Sequence, residues 1–277
     1  MKDASILPDN DHVRTERITV CCAAGRLSAE ILYPDWRVES PPLLVLHGIS
    51  RNADTLARYF ASQAQRTGRC VIVPHFNKQD WPVFQRPTKT ARPDQALLEL
   101  LNYLATRDPD LAGPVDIFGH SGGAQLAHRA AMLYPHRVSA LHLAAAGWYC
   151  LPDRSMPYPY GLAAGKGVQD LKWVNRHAIG LETFLRLPLT LYIGTHDTER
   201  DDSLRQVPML DAGQGLTRLA RAHCYLSAFK TAACAAGIAP CAKLIELPGC
   251  VHDVVEAITR YDLATLVMDS SPDKMFL

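Results

Sequence analysis

Gly119-His120-Ser121-Gly122-Gly123 follows directly on the apolar run 115–118, and residues 124–134 behind it carry a helical pattern. Strand, sharp turn and helix are the context in which G-x-S-x-G presents a nucleophile. A serine hydroxyl is a weak nucleophile by itself. Small residues at the turn leave Ser121 exposed, so that a carbonyl group can approach while an imidazole removes the hydroxyl proton. Taken as a pentapeptide alone, the same residues are an ordinary glycine-rich turn.

The pattern on both sides of this turn repeats the alternation. Residues 13–22 and 27–33 read as two early strands joined near Gly25. Leu43-Leu44-Val45-Leu46 is apolar throughout, as a central parallel strand covered on both faces must be. A helix is predicted over 54–65 with Asp54 near its cap, a strand over 70–73, and a surface loop over 74–93. Helix 93–105, strand 115–118, helix 121–134 and strand 138–145 follow. Residues 147–167 break the pattern as an aromatic insertion, a lid or pocket element. Helix 170–185, strand 189–193, helix 216–236, strand 243–247 and a closing helix over 253–267 complete the chain. The simplest fold is α/β: one three-layer domain over 1–277 with a mostly parallel central sheet. A dinucleotide-binding fold shares the alternation, but Gly48 stands isolated where G-x-G-x-x-G is needed.

Composition narrows the class. With 48% hydrophobic and 21% charged residues, the chain has material for a large core and is neither disordered nor fibrous. A formal charge of +1 without basic blocks argues against nucleic acid as a partner. The N-terminus lacks the apolar stretch of a secretory signal, and no apolar run is long enough to span a bilayer, so no membrane partner is expected and a cytoplasmic protein is the simplest reading. The eight cysteines read as free, mostly buried thiols. None is spaced with histidine as a zinc site. No oligomeric state is assigned.

An activated serine needs a base and a group that orients it. His252, in the loop after the last strand, is the candidate base, because imidazole can accept the serine proton and return it to a leaving group. Otherwise His252 would be a helix-cap residue beside Asp253. His120 is turned away by the elbow and supports the loop, and His223 belongs to a helix surface. Asp197, just past strand 189–193, is the candidate acid, with Glu199, Asp201 and Asp202 as rivals. The backbone N–H of Gly122 and that of Ile49, in His47-Gly48-Ile49-Ser50, are the expected oxyanion-hole donors; Ser50 is the alternative to Ile49.

These joined signals resemble the α/β-hydrolase superfamily over nearly the whole chain. Within it the sequence is similar to polyhydroxyalkanoate-depolymerase-like serine esterases. The pieces that carry this are residues 47–54, the serine elbow, Ala146-Gly147-Trp148-Tyr149-Cys150-Leu151-Pro152, residues 194–200, residues 214–222 and Leu247-Pro248-Gly249-Cys250-Val251-His252-Asp253. The chain order Ser121, Asp197, His252 is the order of that superfamily. The resemblance implies a cofactor-independent hydrolase of carboxylic esters, acting on small or oligomeric substrates. An amidase or peptidase with the same triad, and a catalytically silent ligand-binding protein, are the alternatives.

Specificity is less legible. Trp148, Tyr149, Tyr158 and Tyr160 either line a substrate pocket or pack the insertion onto the domain. Trp81 and Phe84 are candidates for the opposite wall. Arg51, Arg200, Arg218 and Arg221 read as structural ion-pair partners of nearby acids rather than as clamps for a substrate carboxylate.

Overall fold

The computed structural model describes residues 13–165 and 167–270, with only the backbone of Cys22. The reading of the N-terminal dozen residues as free of an apolar leader lies outside this range. The first strands, β1 (Val13–Cys22) and β2 (Gly25–Pro34), form an antiparallel hairpin in register from Val13↔Pro34 to Cys22↔Gly25. Then come β3 (Leu43–Leu46), α1 (Ala53–Thr67), β4 (Val71–His75), α2 (Pro93–Arg107), β5 (Val115–His120), α3 (Gly122–Leu133) and β6 (Val138–Ala144). The second half contains α4 (Val168–Ile179), α5 (Leu181–Leu185), β7 (Leu189–Gly194), α6 (Pro208–Gln214), α7 (Arg218–Ala235), β8 (Ala242–Leu247), α8 (Val254–Tyr261) and α9 (Leu263–Asp269).

The eight strands make one sheet in the order β1-β2-β4-β3-β5-β6-β7-β8. From β4 to β8 every pairing is parallel, while β2 is antiparallel to both its neighbours. Strand side chains alternate between faces, and β3 shows the result. Leu44 and Leu46 join one core with α2, α3, α5 and α7, whereas Leu43 and Val45 join the other with α1, α8 and α9. Three layers follow. The buried Asp116 in central strand β5 is held by Arg69 at 2.6 Å, which accounts for a carboxylate inside an otherwise apolar strand.

Several predicted elements change on folding. Helix α1 is capped by Asn52 without a side-chain hydrogen bond, and Asp54 lies in its first turn. The loop after β4 is no surface loop throughout, since Phe76, Trp81 and Phe84 are buried in it. The predicted helix 170–185 is interrupted at Gly180. The closing helix is two helices, because Asp262 takes φ 53 and ψ 33 and reverses the winding. This break turns the apolar side chains of both α8 and α9 into one core with α1. Thr217 accepts a hydrogen bond from Ala220 N–H and so starts α7 two residues late. Of the cysteines expected to be mostly buried, Cys70, Cys150 and Cys250 are, but Cys21, Cys234 and Cys241 are exposed. No helix among the described residues is long and apolar enough to cross a membrane.

Burial keeps an unusual set of histidines neutral. It lowers His47 and His177 to about 4 and His142 to about 3, and holds His120 and His128 well below their ordinary value. Their folded-state values are depressed, so below about pH 6.5 the unfolded chain takes up protons that the native chain refuses. Stability is therefore complete above pH 6.5 and falls as acid is added, by up to about 1.4 kcal/mol per histidine per pH unit. Urea unfolding at pH 7.5, 6.0 and 5.0 should show the midpoint dropping steeply. A midpoint constant over that range would contradict the buried neutral state of these rings.

Candidate active site

The loops at the C-terminal ends of the parallel strands gather the predicted residues. Between β5 and α3 the chain turns within one residue, and Ser121 has φ 53 and ψ −113. A side chain is rarely held there, and the surrounding packing maintains it. Two glycines make the turn possible. A Cβ on Gly119 would lie 2.5 Å from the Gly123 carbonyl carbon, and one on Gly123 would overlap the carbonyl oxygens of Leu46 and His47. Helix α3 thus presses directly on the end of β3. Gly123→Ala is expected to destabilise the fold by about 1–3 kcal/mol, read as a lower urea midpoint, because the clash is with backbone that cannot rotate away.

Ser121 Oγ lies 3.1 Å from His252 Nε2, and His252 Nδ1 lies 2.7 Å from Asp197 Oδ2. The three residues come from three different loops, up to 131 positions apart. The loops after β7 and β8 are stitched together to hold this register. Thr195 N–H donates to Leu247 O, His196 N–H to Cys250 O, and Gly249 N–H to Thr195 Oγ1. Asp253 then caps α8, accepting from Val255 and Glu256 N–H, which fixes the residue next to His252.

Asp197 is almost wholly buried at 1% exposure, and its second oxygen faces Arg218 Nη1 at 3.4 Å. Arg218 is equally buried and also binds Asp201 and Ser203. Burial alone would raise the Asp201 carboxyl. Hydrogen bonds from Ser203 and Arg218, with the arginine's charge, instead bring it down to about 2. Of the rival acids, Glu199 is exposed and offers Arg218 only its carbonyl oxygen, and Asp201 is committed to Arg218. His120 stacks on His252 with ring centres 5.2 Å apart.

Beside the serine, His47 organises the loop after β3. Its Nδ1–H donates to Gly48 O and its Nε2 accepts from Phe76 N–H. Ile49 N–H has no protein acceptor among the described residues. It stands 3.4 Å from the place where a Cβ on Gly122 would be. Gly122 opens α3, so its own N–H is also without an intrahelical partner. Two free donors therefore flank Ser121.

A cleft of about 340 Å3 opens at Ser121. Ile49, Val83, Gln85, Arg86 and Gln125 line it together with Gly147, Trp148, Asp202, Ser203 and Arg205. Of the four aromatic residues expected there, only Trp148 does so. Tyr160 packs edge-on behind Trp148, Tyr149 stacks on Tyr225 with centres 4.2 Å apart, and Tyr158 lies against His177. Burial drives these three tyrosines inward as core. Trp81 and Phe84 likewise pack with Phe76 and leave the wall to Val83, Gln85 and Arg86. Burial in this loop falls on every third residue, Trp81, Phe84 and Pro87, and leaves Val83, Gln85 and Arg86 to the cleft. Arg200 and Arg221 share Asp211, while Arg51 binds the carbonyls of Phe76, Trp81 and Pro82 instead of an acid. Arg86 and Arg205 carried no local sequence signal beyond their place after parallel strands. Among the described residues, no group of three metal-ligating side chains is assembled.

The model of the family described as alpha/beta hydrolase fold matches residues 41–190. Among solved structures, poly(aspartic acid) hydrolase-1 from Sphingomonas sp. KT-1 is 26% identical, covers 93% of this chain and 99% of its own, and superposes with a TM-score of 0.75. The LpqC poly(3-hydroxybutyrate) depolymerase from Bordetella parapertussis is 23% identical over 93% of this chain and 96% of its own, with a TM-score of 0.71. An S-formylglutathione hydrolase from Agrobacterium tumefaciens shares the fold at 15% identity, 93% coverage of both chains and a TM-score of 0.58. No curated protein sequence matches the chain.

Proposed function

The chain belongs to the alpha/beta hydrolase fold family, and on that premise we propose that it is a serine hydrolase cleaving carboxylic esters of small or oligomeric substrates through an acyl-enzyme. The observation that carries this reading is the continuous path from Asp197 through His252 to Ser121, at 2.7 and 3.1 Å. Ser121 Oγ attacks the ester carbonyl carbon as its proton passes to His252 Nε2. The carbonyl electron pair moves onto oxygen, where the N–H groups of Gly122 and Ile49 receive it. Collapse expels the alcohol, which takes the proton from His252. Water then attacks the acyl group, with His252 as its base, and Ser121 is regenerated. Asp197 holds the imidazole in the required tautomer throughout. Arg218 in turn holds Asp197, and the flat stack of His120 limits tilting of the base.

The protein acts as a single α/β-hydrolase domain, with 147–167 as a pocket insertion that contributes Gly147 and Trp148 to the cleft. The poly(aspartic acid) hydrolase neighbour, at 26% identity, supports oligomeric substrates.

A fluorophosphonate followed by intact-mass measurement tests the mechanism. One adduct on the native chain, absent from Ser121→Ala, is expected, along with a burst of product from an activated ester. A folded chain that takes no adduct and shows no burst would sink the proposal and favour a silent binding protein. Matched ester and amide substrates separate the esterase from an amidase with the same triad: turnover of the amide at a comparable rate would overturn the ester assignment.

A further inference from the structure

We propose that the cleft at Ser121 selects substrates that carry a carboxylate on one arm of the scissile ester, held by Arg86 and Arg205. This rests on the serine-hydrolase reading above. The motive is a contrast among the arginines. Arg69, Arg218 and Arg221, all fully buried, are each paired with an aspartate. Arg51 and Arg200 are also engaged, by three carbonyls and by Asp211. Arg86 and Arg205 line the cleft, and neither forms an ion pair among the described residues. Arg26, Arg154, Arg176 and Arg186 also have no ion pair among the described residues, but Arg86 and Arg205 are the two unpaired arginines that line the cleft at Ser121.

Their geometry suits a planar anion. Arg205 donates through Nε to Tyr160 Oη at 2.7 Å, which fixes the side chain and leaves its two terminal nitrogens free. A fork held in this way can donate to both oxygens of a carboxylate without losing much side-chain freedom. Arg86 comes from the loop after β4 and Arg205 from the loop after β7, so the two approach the cleft from different parts of the sheet edge.

A third cation stands behind them. Arg129 of α3 is completely buried, with its guanidinium carbon 4.2 Å from the centre of the Trp148 ring. It donates to Gln125 O, but its Nε and Nη2 have no partner, and it forms no salt bridge among the described residues. Burial lowers Arg129 to about 10, and the positive charge of Arg86 acts in the same direction. Arg129 therefore remains a cation at neutral pH, close to Arg86. Arg205 reaches the same tryptophan at 5.6 Å. Arg129 and Arg205 lie over Trp148 and Arg86 lines the same cleft, without an equal number of acids. Asp202, exposed, is the single carboxylate in the cleft lining. Arg129 is fully buried, whereas Arg86 is half-buried and Arg205 exposed; an arriving carboxylate therefore meets two accessible guanidinium groups, with the uncompensated buried charge of Arg129 adding to the positive field behind them.

Two matched ester pairs test this, after subtraction of enzyme-free hydrolysis. On the acyl side, 4-nitrophenyl hydrogen glutarate is compared with 4-nitrophenyl pentanoate. On the alcohol side, 3-acetoxybenzoate is compared with phenyl acetate. In at least one pair the anion is expected to have a kcat/KM about tenfold or more higher, mainly through KM, corresponding to about 1.4 kcal/mol. Raising NaCl from about 0.02 to about 0.5 M should shrink that ratio. The double variant R86Q/R205Q should reduce it about tenfold or more, with circular dichroism and fluorophosphonate labelling reporting that fold and nucleophile are intact. If the variant does not fold, R86K/R205K replaces it and should reduce the ratio in part, since charge persists without the planar fork. Neutral esters equal to or better than the anions in both pairs would overturn the proposal, as would a ratio unmoved by the substitutions. If no ester is turned over and Ser121 takes no label, the serine-hydrolase reading itself fails. Labelling and neutral-ester turnover without anion preference reject the selectivity alone.

Discussion

Ser121→Ala is expected to lower ester kcat/KM by about 10,000-fold or more, the largest effect of any single substitution in this chain. The loss follows from the chemistry: without Oγ no acyl-enzyme forms, and His252 has no proton to accept from the chain. Residual turnover would come from the free N–H groups of Gly122 and Ile49 acting on a bound ester. Stability should change little, because among the described residues the hydroxyl makes one hydrogen bond, to the part-buried His252. Steady-state rates with an activated ester, together with urea unfolding, check both halves. Turnover within tenfold of the parent protein would remove Ser121 from the reaction.

Asp197→Asn should cost about 1,000- to 10,000-fold in kcat while the protein stays folded. An amide at this position can donate to Nδ1 and so stabilise the tautomer with its proton on Nε2, where the serine proton has to go. It also cannot balance the imidazolium that forms in the transition state. Arg218 would keep Asp201 and Ser203 as partners, so the structural penalty is about 1–3 kcal/mol rather than loss of the fold. Glu199→Gln is the control, since Glu199 is exposed and its side chain is away from His252. Equal damage from the two substitutions would show that the acid has been misassigned.

The tests differ in what they depend on. The serine and aspartate substitutions probe groups in direct contact through His252. The acid-stability measurement instead probes His47, His128, His142 and His177, which are buried away from water throughout the core, together with His120 at the triad. A drop in the unfolding midpoint below pH 6.5 is expected even in Ser121→Ala, because burial of those rings does not require a working nucleophile.

Much of this architecture could be read from local residue order. An all-apolar Leu43–Leu46 needs cover on both faces, and β3 has it. The placement of Ser121 between an apolar strand and a small-residue helix, and of Asp197 and His252 after later strands, follows from the same periodicity. Parallel strands bring their C-terminal ends to one edge, so residues far apart in the chain meet there. Helix ends were harder, because they depend on partners. Asp262 breaks the closing helix where α8 and α9 must both reach one core, and nothing in residues 253–267 demands that break without the sheet in place.

By itself, then, the sequence determined the alternation of strands and helices, the sharp turn at Ser121 and the chemical types at the three loop ends, because these depend on neighbours in the chain. Which aromatic residues face the cleft was decided only by tertiary structure. Trp148 is retained there, whereas Tyr149, Tyr158 and Tyr160 are drawn behind it by Tyr225, His177 and Trp148 itself. The fate of each arginine was decided in the same way. A guanidinium's role depends on whether folding brings a carboxylate within about 4 Å. For Arg69, Arg218 and Arg221 it does; for Arg86, Arg129 and Arg205 it brings Trp148 and an open cleft instead.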